Sequence, residues 1–447
     1  MHMKELDSML KGTMEEISGR VTKVSELRQK IGQDVLLRGW VYRHRRTGNL
    51  AFVVLRDGTG IVQCAIKNDE NDKSAWDAAN DVFIDSVVYA YGQVANDERA
   101  PGGVELRTKD FKVDFKGEPF PVSKDQSAEF LLDVRHLWVR SQYMTDILKF
   151  KAFLMRTCRS FLDERGFLEF QPPMFVGNAA EGGATVFEVQ YFNRKAYLSQ
   201  TGQLYSEAMI SGYPLVYVYA PSFRAEPSRT PRHLTEFWQL EPEMAFYDQA
   251  MNMKLQGELV ETICTEAAKK QPDILKKFGR DPSDLAAIKA PFDKMTYGDA
   301  IKKLQGMGLK IEWGDGIGLD EEKMLVKDNT QPVFLTNQPK EMRAFYMKIN
   351  PDDTRTVKDA DMLAPEGIGE VIGGSERVSD YNELVKRLKD LGQKEEDYKW
   401  YVDLRKYGTV PHSGFGMGSE RMVRWLLKLD SIRDAIAFPR TMNRVEP

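Results

Sequence analysis

Short apolar runs alternate with turn residues through the N-terminal part of the chain. Turn signals separate them at Asp57-Gly58 and at Pro101-Gly102-Gly103. Five runs have the Val, Ile, Phe and Tyr content of strands: Val35–Tyr42, Phe52–Arg56, Ile61–Ile66, Asp85–Ala95 and Val104–Phe115. With one short helix predicted at Lys73–Asn80, this pattern predicts a small β-barrel over residues 1–117. An OB-fold fits the pattern, and that fold often binds single-stranded nucleic acid.

The pattern changes after Gly117-Glu-Pro-Phe-Pro121, which predicts a hinge over residues 118–143. Apolar residues then recur at helical spacing up to Gly166, which is a good helix stop: Ile147, Phe150, Leu154, Cys158, Phe161 and Leu162. Phe237–Phe246 alternates charged and apolar residues, as an antiparallel strand does beside a polar site. The sequence therefore predicts an α+β domain over residues 144–447, with a peripheral insertion at about 270–330.

Composition narrows the class of protein. The chain has 447 residues, of which 42% are hydrophobic and 29% are charged, enough for several domains with cores. Three cysteines far apart predict reduced thiols in the cytoplasm and exclude a disulfide framework. We expect no membrane segment, because no apolar run reaches the roughly 18–20 residues that a span requires. The first residues resemble neither a secretory signal nor a transit peptide.

The net charge of −4 does not by itself predict nucleic-acid binding. Any RNA contact must come from a local patch such as Arg43-His44-Arg45-Arg46, although four basic residues are also a common solvated face.

The sequence lacks the common nucleotide-binding motifs. The sequence has no GxxxxGK[ST] phosphate loop, and Gly414-Phe-Gly416-Met-Gly418 lacks the spacing of a dinucleotide fingerprint.

Two segments nevertheless have the chemistry to hold a nucleotide. Arg224-Ala-Glu226 follows the apolar strand Val216–Phe223, where an arginine fork can grip phosphate, and Phe237 on the next strand can stack on a base. The alternative is a charged hairpin with surface ion pairs. The second segment is Gly414 to Arg421, followed by an amphipathic helix at Met422–Lys428. Arg421 opposes the helix dipole unless it meets an anion; the alternative is an ordinary glycine-rich turn.

Together with a third segment, these two resemble the motifs of the class II aminoacyl-tRNA synthetases. Arg156–Phe175 is similar to the first motif, with Pro173 as the family proline. Arg224, Glu226 and Phe237 match the second motif, and Gly414, Gly416, Gly418, Glu420 and Arg421 match the third. A barrel before the catalytic domain is typical of the aspartate, asparagine and lysine subgroup. The resemblance implies a homodimer through the Arg156–Pro173 region and a reaction that uses ATP, Mg²⁺ and tRNA.

The resemblance also implies roles for individual residues. Arg224, Glu226 and Arg421 would be catalytic. ATP would be held by Arg224, Glu226, His233, Phe237, Glu370, Gly418 and Arg421. Asp361 and Glu370 would be the metal ligands, although Gly373 stands where aspartate enzymes usually have a serine. Phe52 and Gln63, with Arg45 nearby, have the spacing of the anticodon-reading residues, and the alternative for Phe52 is a core aromatic.

One position bears on the amino acid that is used. Aspartate enzymes of the subgroup carry Gln-x-x-Lys, and here Gln203 is followed by Ser206 in place of the lysine. A desolvated carboxylate without a cationic partner is costly, whereas a carboxamide has no such demand. The resemblance therefore implies asparagine as the substrate. Glu181, Gln203, Glu207 and Arg377 would bind it, and His412 is either a rim residue or a structural histidine.

We therefore expect ATP-dependent ligation of asparagine to tRNA(Asn) through an asparaginyl-adenylate. The main alternative is an aspartyl-tRNA synthetase that charges tRNA(Asp) and tRNA(Asn). An amide-forming asparagine synthetase of this fold is a second alternative, but such relatives lack the barrel. A non-catalytic RNA-binding module is a third, and the intact Arg224, Glu226, Glu420 and Arg421 argue against it.

Overall fold

The chain folds into two compact units, Met1–Ser127 and Ala128–Pro447. The computed structural model describes residues 3–70, 72–123, 125–180, 185–227 and 233–447. The boundary between the units falls inside the predicted hinge, 118–143. The helices at 128–133 and 135–138 belong to the second unit, where the buried Arg135 donates to three carbonyl groups of residues 433–437.

A closed five-stranded barrel forms the first unit, in the order β1-β2-β3-β5-β4. Its strands are β1 Asp34–Thr47, β2 Leu50–Arg56, β3 Ile61–Lys67, β4 Val87–Asn96 and β5 Val104–Phe115. Its helices are α1 Met3–Met9, α2 Met14–Arg20 and α3 Ser74–Asn80, with 3₁₀ turns at Val24–Lys30 and Pro101–Gly103. Alternation decides which side chains fill the core: Val53 and Leu55 point inward, whereas Phe52 and Val54 lie on the outer face. The predicted OB-fold barrel is confirmed.

The first strand is longer than its apolar pattern indicates. It continues past Tyr42 to Thr47, so the basic residues Arg43–Arg46 lie on the strand. Pairing with β2 explains the extension, because Arg45 faces Phe52 and Thr47 faces Leu50 across the ladder. Backbone hydrogen bonds to a neighbouring strand do not require apolar side chains. A prediction based on apolar residues alone therefore ends this strand too early.

The second unit is built on an eight-stranded sheet in the order β12-β13-β14-β15-β16-β11-β10-β6. Its strands are β6 Leu168–Glu169, β10 Leu215–Phe223, β11 Glu236–Ala245, β12 Asp293–Thr296, β13 Val333–Thr336, β14 Asp359–Ala364, β15 Gly369–Glu376 and β16 His412–Gly418. The central pairs are antiparallel, and only β12–β13 and β10–β6 are parallel. A small sheet holds β7 Phe175–Val176, β8 Glu188–Tyr191 and β9 Arg194–Leu198. This confirms the predicted α+β domain.

Helices cover the sheet and bury its apolar face. They are α4 Ala128–Asp133, α5 Arg135–Trp138, α6 Gln142–Asp163, α7 Gln203–Met209, α8 Gln249–Lys270, α9 Pro272–Lys277, α10 Pro282–Ala286, α11 Tyr297–Gly306, α12 Leu319–Val326, α13 Tyr381–Asp390, α14 Lys399–Lys406 and α15 Ser419–Leu426. Further 3₁₀ turns lie at Lys340–Met342, Glu395–Tyr398 and Ile432–Ala435. Residues of α6, α8 and α15 share one core cluster with Leu240, Met244 and Met417 of the sheet. Polar residues of β11 are thereby left for the opposite face.

Two local predictions need correction. The helix predicted at Met422–Lys428 begins at Ser419 and ends at Leu426, because Gly418 is its N-cap. The alternative of an ordinary glycine-rich turn before this helix is wrong as well, since Gly414, Gly416 and Gly418 all lie in β16. Neighbours on β11 and β15 supply the backbone pairing that a row of glycines cannot signal in the sequence.

The segment predicted as an insertion, about 270–330, extends the sheet at one edge. Strand β12 pairs only with β13, and α11 packs beside them around Tyr297, Ile301 and Leu304. Within the described ranges, no helix is long and apolar enough to cross a membrane.

Candidate active site

Glycines form the floor of a cavity on the polar face of the sheet. Asp361 of β14 pairs with Gly373 of β15, and Gly373 pairs with Gly416 of β16. Gly414, further along β16, pairs with Glu243 of β11. A Cβ atom at Gly414 would overlap Glu243 Oε2 and lie 2.7 Å from Arg377 Nη2. The absence of a side chain there lets Glu243 and Arg377 lie close against β16.

The cavity has a volume of about 520 Å³ and a strongly charged lining. Five carboxylates line it, namely Glu241, Glu243, Glu341, Asp361 and Glu370. Three guanidinium groups face them, from Arg224, Arg343 and Arg377. Among the described residues that line it there is no lysine. Such a lining suits a polar, zwitterionic or phosphate-bearing ligand rather than an apolar one.

A smaller cavity of about 70 Å³ adjoins the first one and shares Arg224, Gln239, Glu370 and Gly416 with it. The structure brings every residue predicted to hold ATP to the lining of this smaller cavity: Arg224, Glu226, His233, Phe237, Glu370, Gly418 and Arg421. They come from three separate stretches of chain, so their convergence is a consequence of the fold.

Contacts within the smaller cavity orient its cationic side chains. The Arg224 guanidinium lies 5.5 Å from the centre of the Phe237 ring, and His233 Nε2 lies 3.6 Å from Glu226 Oε2. Arg421 Nη1 lies 3.1 Å from Glu370 Oε2. Arg224 and Arg421 therefore face a shared cleft, as a site with two phosphate-gripping arginines requires.

The helix that carries Arg421 is held by its neighbour Glu420. Glu420 is buried and accepts from Lys151 Nζ of α6 at 2.5 Å and from the backbone N–H of Trp238 at 3.1 Å. The hydroxyl of Tyr219 also contacts Ser419 Oγ at 2.6 Å. These bonds fix the start of α15 against both α6 and the sheet.

The two carboxylates predicted as metal ligands converge above Gly373. A Cβ atom at Gly373 would lie 3.3 Å from Asp361 Oδ1 and 3.4 Å from Glu370 Oε1. Burial raises the pKa of Asp361, while Arg343 Nη2, 2.8 Å from Oδ1, opposes the rise. Two carboxylate oxygens that converge in the lining of the large cavity match the preference of Mg²⁺ for one or two carboxylate ligands, so the residues fit the ion.

Gln203 and Arg377 define the opposite end of the large cavity. Arg377 makes a bidentate pair with Glu243 at 3.0 and 2.9 Å and donates to Ser375 Oγ at 2.8 Å. Burial raises the pKa of Glu243, and Arg377 limits the rise. Gln203 Nε2 donates to Glu207 Oε1 at 3.0 Å. Both predicted residues therefore lie at the cavity wall.

Two other predicted residues are not on the wall. Glu207 is buried one layer behind Gln203, and His412 is buried beside Glu207, with its Nε2 2.9 Å from Glu207 Oε2. His412 is thus not a rim residue. Ser206, which replaces the family lysine, is buried and donates to Gly202 O. Glu181 lies outside the described residues.

Glu207, Glu243 and His412 have ligand atoms within 4.8 Å of one another, as a metal site would. Their lone pairs are already engaged, however. Both oxygens of Glu243 accept from Arg377, and Glu207 Oε2 accepts from Arg405 and Tyr401 at 2.5 and 2.6 Å. The cluster is an ion-pair network and not a cation site.

The barrel carries the predicted anticodon residues on its outer face. Arg45 and Phe52 are cross-strand partners, with the guanidinium 4.7 Å from the ring centre. Phe52 faces Ala65, and Gln63 faces Val54, so Phe52 and Gln63 are diagonal neighbours on this face. Gln63 Nε2 donates to Glu105 at 3.2 Å. Phe52 is not a core aromatic.

Several site residues were not predicted from the sequence. Glu241 and Glu243 follow Gln239 at every second position of β11; the alternation over Phe237–Phe246 indicated a polar site beside this strand but did not assign these two glutamates to it. Glu241 accepts from the hydroxyl of Thr201 and, at 2.9 Å, from the N–H of Gly202. Arg343 follows the 3₁₀ turn Lys340–Met342 as its C-cap residue, where no sequence pattern marks it.

Comparison with known proteins matches this combination of barrel, sheet and site. Residues 127–442 match the model of the class II tRNA synthetases (D, K and N), and residues 35–114 match the model of the OB-fold nucleic acid binding domain. The chain belongs to the class II tRNA synthetases of this group and is an aminoacyl-tRNA ligase.

Within that class the similarity is to asparagine enzymes. The chain is 49% identical to asparagine–tRNA ligase of Thermococcus kodakarensis, covering 93% of this chain and 96% of that protein. Asparaginyl-tRNA synthetase from Pyrococcus horikoshii, solved with asparaginyl-adenylate, superposes with a TM-score of 0.91 at 43% identity, covering 96% and 99% of the two chains. A putative aspartyl-tRNA synthetase from Leishmania major gives a TM-score of 0.84 at 26% identity, covering 95% and 94%.

Proposed function

We propose that the protein attaches asparagine to tRNA(Asn) in two steps, through an asparaginyl-adenylate. The observation that carries the proposal is the pair of adjoining cavities. One gathers all seven residues expected for ATP, and the other ends in Gln203 and Arg377 without a lysine among its described lining. A neutral carboxamide suits such an end, because an aspartate carboxylate would add a buried charge opposite no ammonium group.

The first step joins the substrate carboxylate to ATP. A carboxylate oxygen attacks the α-phosphorus, a new O–P bond forms, and the bond to the leaving pyrophosphate breaks. Arg224 holds the α-phosphate and Arg421 the γ-phosphate, while Phe237 and Arg421 enclose the adenine. Because the nucleophile is already ionised, the residues contribute positioning and charge stabilisation and no general base is needed.

Magnesium belongs to this proposal because Asp361 Oδ1 and Glu370 Oε1 converge above Gly373. These two residues would hold the ion, which supplies charge stabilisation at phosphate oxygens when it is bound. Glu226 lies at the rim of the smaller cavity, where the base or the tRNA terminus would enter.

The second step moves the asparaginyl group to the 3′-hydroxyl of the terminal adenosine of tRNA. The ribose oxygen forms an ester bond to the carbonyl carbon, the bond from that carbon to the adenylate oxygen breaks, and AMP leaves with its phosphate taking up the hydroxyl proton. The barrel supports recognition of the tRNA. Phe52 and Arg45 offer a stacking platform beside a cation, and Gln63 offers a polar group on the same face.

The oligomeric state and the cellular location complete the proposal. Exposed apolar residues near the first motif, Leu168 and Phe175, support a homodimer through the Arg156–Pro173 region. Three buried free cysteines suit a reducing compartment, which supports a cytoplasmic location.

Amino-acid-dependent ATP–pyrophosphate exchange tests the proposal, with asparagine and aspartate measured side by side. We expect asparagine to be preferred by roughly 10⁴ in kcat/KM, because a site built for one polar side chain leaves groups unpaired with the other. Equal rates with the two amino acids would favour the aspartyl alternative. No exchange with either would remove the enzyme assignment.

Replacement of Arg224 tests the nucleotide site. Arg224→Ala removes the guanidinium that grips the α-phosphate, so we expect exchange to fall by about 10³-fold or more. Lys254→Ala, at an exposed position of α8, is the matched surface control and should leave exchange unchanged. Near-normal exchange in Arg224→Ala would exclude this residue from the mechanism.

A further inference from the structure

Helix α14 carries two residues that lie behind the amino-acid end of the cavity and belong to none of the three motifs. Tyr401 and Arg405 are one helical turn apart, and both are buried. Both donate to the same oxygen of Glu207, Arg405 Nη2 at 2.5 Å and Tyr401 Oη at 2.6 Å. Neither residue lines the cavity.

The Arg405 guanidinium bonds to two segments that form the wall of the large cavity. Besides Glu207 on α7, it reaches the backbone of Val378 at 3.0 Å through Nε. Val378 follows Arg377, whose side chain lines the cavity. One buried cation therefore connects the segment after β15 with the helix that carries Gln203.

The hydrogen bond from Gln203 to Glu207 determines how the Gln203 amide is oriented. A carboxylate only accepts, so the NH₂ end of the amide must face Glu207 Oε1, 3.0 Å away. The carbonyl oxygen is then the end that Gln203 offers to a ligand. A carbonyl accepts from N–H groups, which asparagine has in its side chain and its α-ammonium group, and it repels a carboxylate.

This orientation holds only while Glu207 is ionised. Burial alone would raise the pKa of Glu207, but Arg405, His412 and Arg377 hold it well below its ordinary value. A protonated Glu207 could donate to Gln203 and let the amide turn round, which would present N–H groups to the cavity.

We propose that Arg405, supported by Tyr401, is a positioning residue for amino-acid selection: it fixes Glu207, Glu207 orients the Gln203 amide, and Gln203 then favours asparagine over aspartate. The inference rests on the proposed function and deepens it. A buried Arg–Glu pair is a poor source of stability, since desolvation offsets the attraction. A role in the selection of asparagine over aspartate explains why this network is present when its contribution to stability is small.

Arg405→Met tests the proposal in the full-length enzyme by ATP–pyrophosphate exchange. We expect KM for asparagine to rise about 10- to 100-fold with a smaller change in kcat, and the asparagine-to-aspartate ratio of kcat/KM to fall at least about tenfold. Arg405→Lys keeps a donor near Glu207 and should restore part of the ratio.

The pH profile separates positioning from a structural role. In Arg405→Met the pKa of Glu207 rises, so kcat/KM for asparagine should fall as pH is lowered, and selectivity should recover at higher pH. The groups that face Glu207 are Arg405 and Tyr401 of α14, Gln203 of its own helix, and His412 of β16. Arg377 and Glu243 are the next charges.

Arg280→Met is the matched control, because Arg280 is also buried and bonded to two carbonyls and a glutamate, at another place in the unit. It should lower thermal stability and leave selectivity unchanged. Tyr401→Phe removes one hydroxyl and should lower the asparagine-to-aspartate ratio of kcat/KM by several-fold. This variant tests the proposal if Arg405→Met does not fold.

A folded Arg405→Met enzyme with the wild-type ratio and pH profile would overturn the inference, as would an equal loss of selectivity in Arg280→Met. Failure of the proposed function itself would appear separately, as wild-type enzyme without asparagine-dependent exchange.

Discussion

At the scale of single residues, the site fixes its cations with carboxylates of the same cavity. Arg377 pairs with Glu243, Arg343 with Asp361, and Arg421 with Glu370. A guanidinium held at two or more atoms loses less entropy when a ligand arrives, because its side chain is already ordered. Preorganised charge of this kind is what a phosphoryl-type transfer requires.

Gly414→Ala tests how tightly this arrangement is built. The new methyl group would overlap Glu243 Oε2 and crowd Arg377, so we expect a loss of about 1–3 kcal/mol in unfolding free energy. We also expect KM for asparagine to rise at least tenfold. Chemical denaturation and exchange kinetics measure the two effects.

Gly306→Ala is the control, because a Cβ at that position of α11 would meet nothing within 4 Å. We expect it to leave both quantities close to wild type. If Gly414→Ala also behaved like wild type, the close approach of Glu243 to β16 would be wrong.

At the scale of elements, long-range pairing separates what the sequence predicts from what it does not. Arg224, Phe237 and Arg421 were predicted because each lies in a local motif with nucleotide chemistry. Arg405 was not, since its partner Glu207 is 198 residues away and α14 has the pattern of an ordinary amphipathic helix. Spacing along one element reports its own faces and not the partner that another element supplies.

The barrel shows the same division. Apolar runs between turn signals predicted the five strands, but Arg43–Arg46 were not assigned to a strand, because cross-strand bonds to β2 hold them there. The glycines of β16 were not assigned to a strand either, since no single chain segment reveals the two strands that flank it. Element types were therefore predictable, and their ends and neighbours were not.

Lys151→Met tests the anchoring of α15. The substitution removes the cation that pairs with the buried Glu420, so we expect the unfolding free energy to fall by about 3–5 kcal/mol. Because Arg421 follows Glu420, KM for ATP should rise as well. Denaturant unfolding and exchange at varied ATP concentration are the measurements.

Lys149→Met removes a lysine two positions away on the same helix, where the side chain is exposed. It should change stability by less than about 0.5 kcal/mol. Equal effects of the two substitutions would show that the ion pair does not anchor the helix.

At the scale of the whole molecule, each unit has its own hydrophobic core, one inside the barrel and one between sheet and helices. Amino-acid activation, as proposed, uses the cavities of the second unit. Recognition of tRNA, as proposed, requires the outer face of the barrel as well. The two activities should therefore respond separately to substitution.

Phe52→Ala tests this separation. Loss of a stacking platform costs about 1–3 kcal/mol per base, so aminoacylation should show a KM for tRNA raised about tenfold or more. ATP–pyrophosphate exchange without tRNA should be unchanged. Phe83→Ala, at another exposed phenylalanine under a cation, is the control and should affect neither assay. A loss of exchange in Phe52→Ala would contradict the separation.

The bidentate Arg377–Glu243 pair in the lining of the cavity also limits how the enzyme can be redesigned. A single change that makes room for a larger or apolar amino acid would strand one member of the pair as an uncompensated charge away from water. Variants that accept a new side chain should therefore arise from coupled replacements of both partners, and libraries that vary one position at a time would miss them.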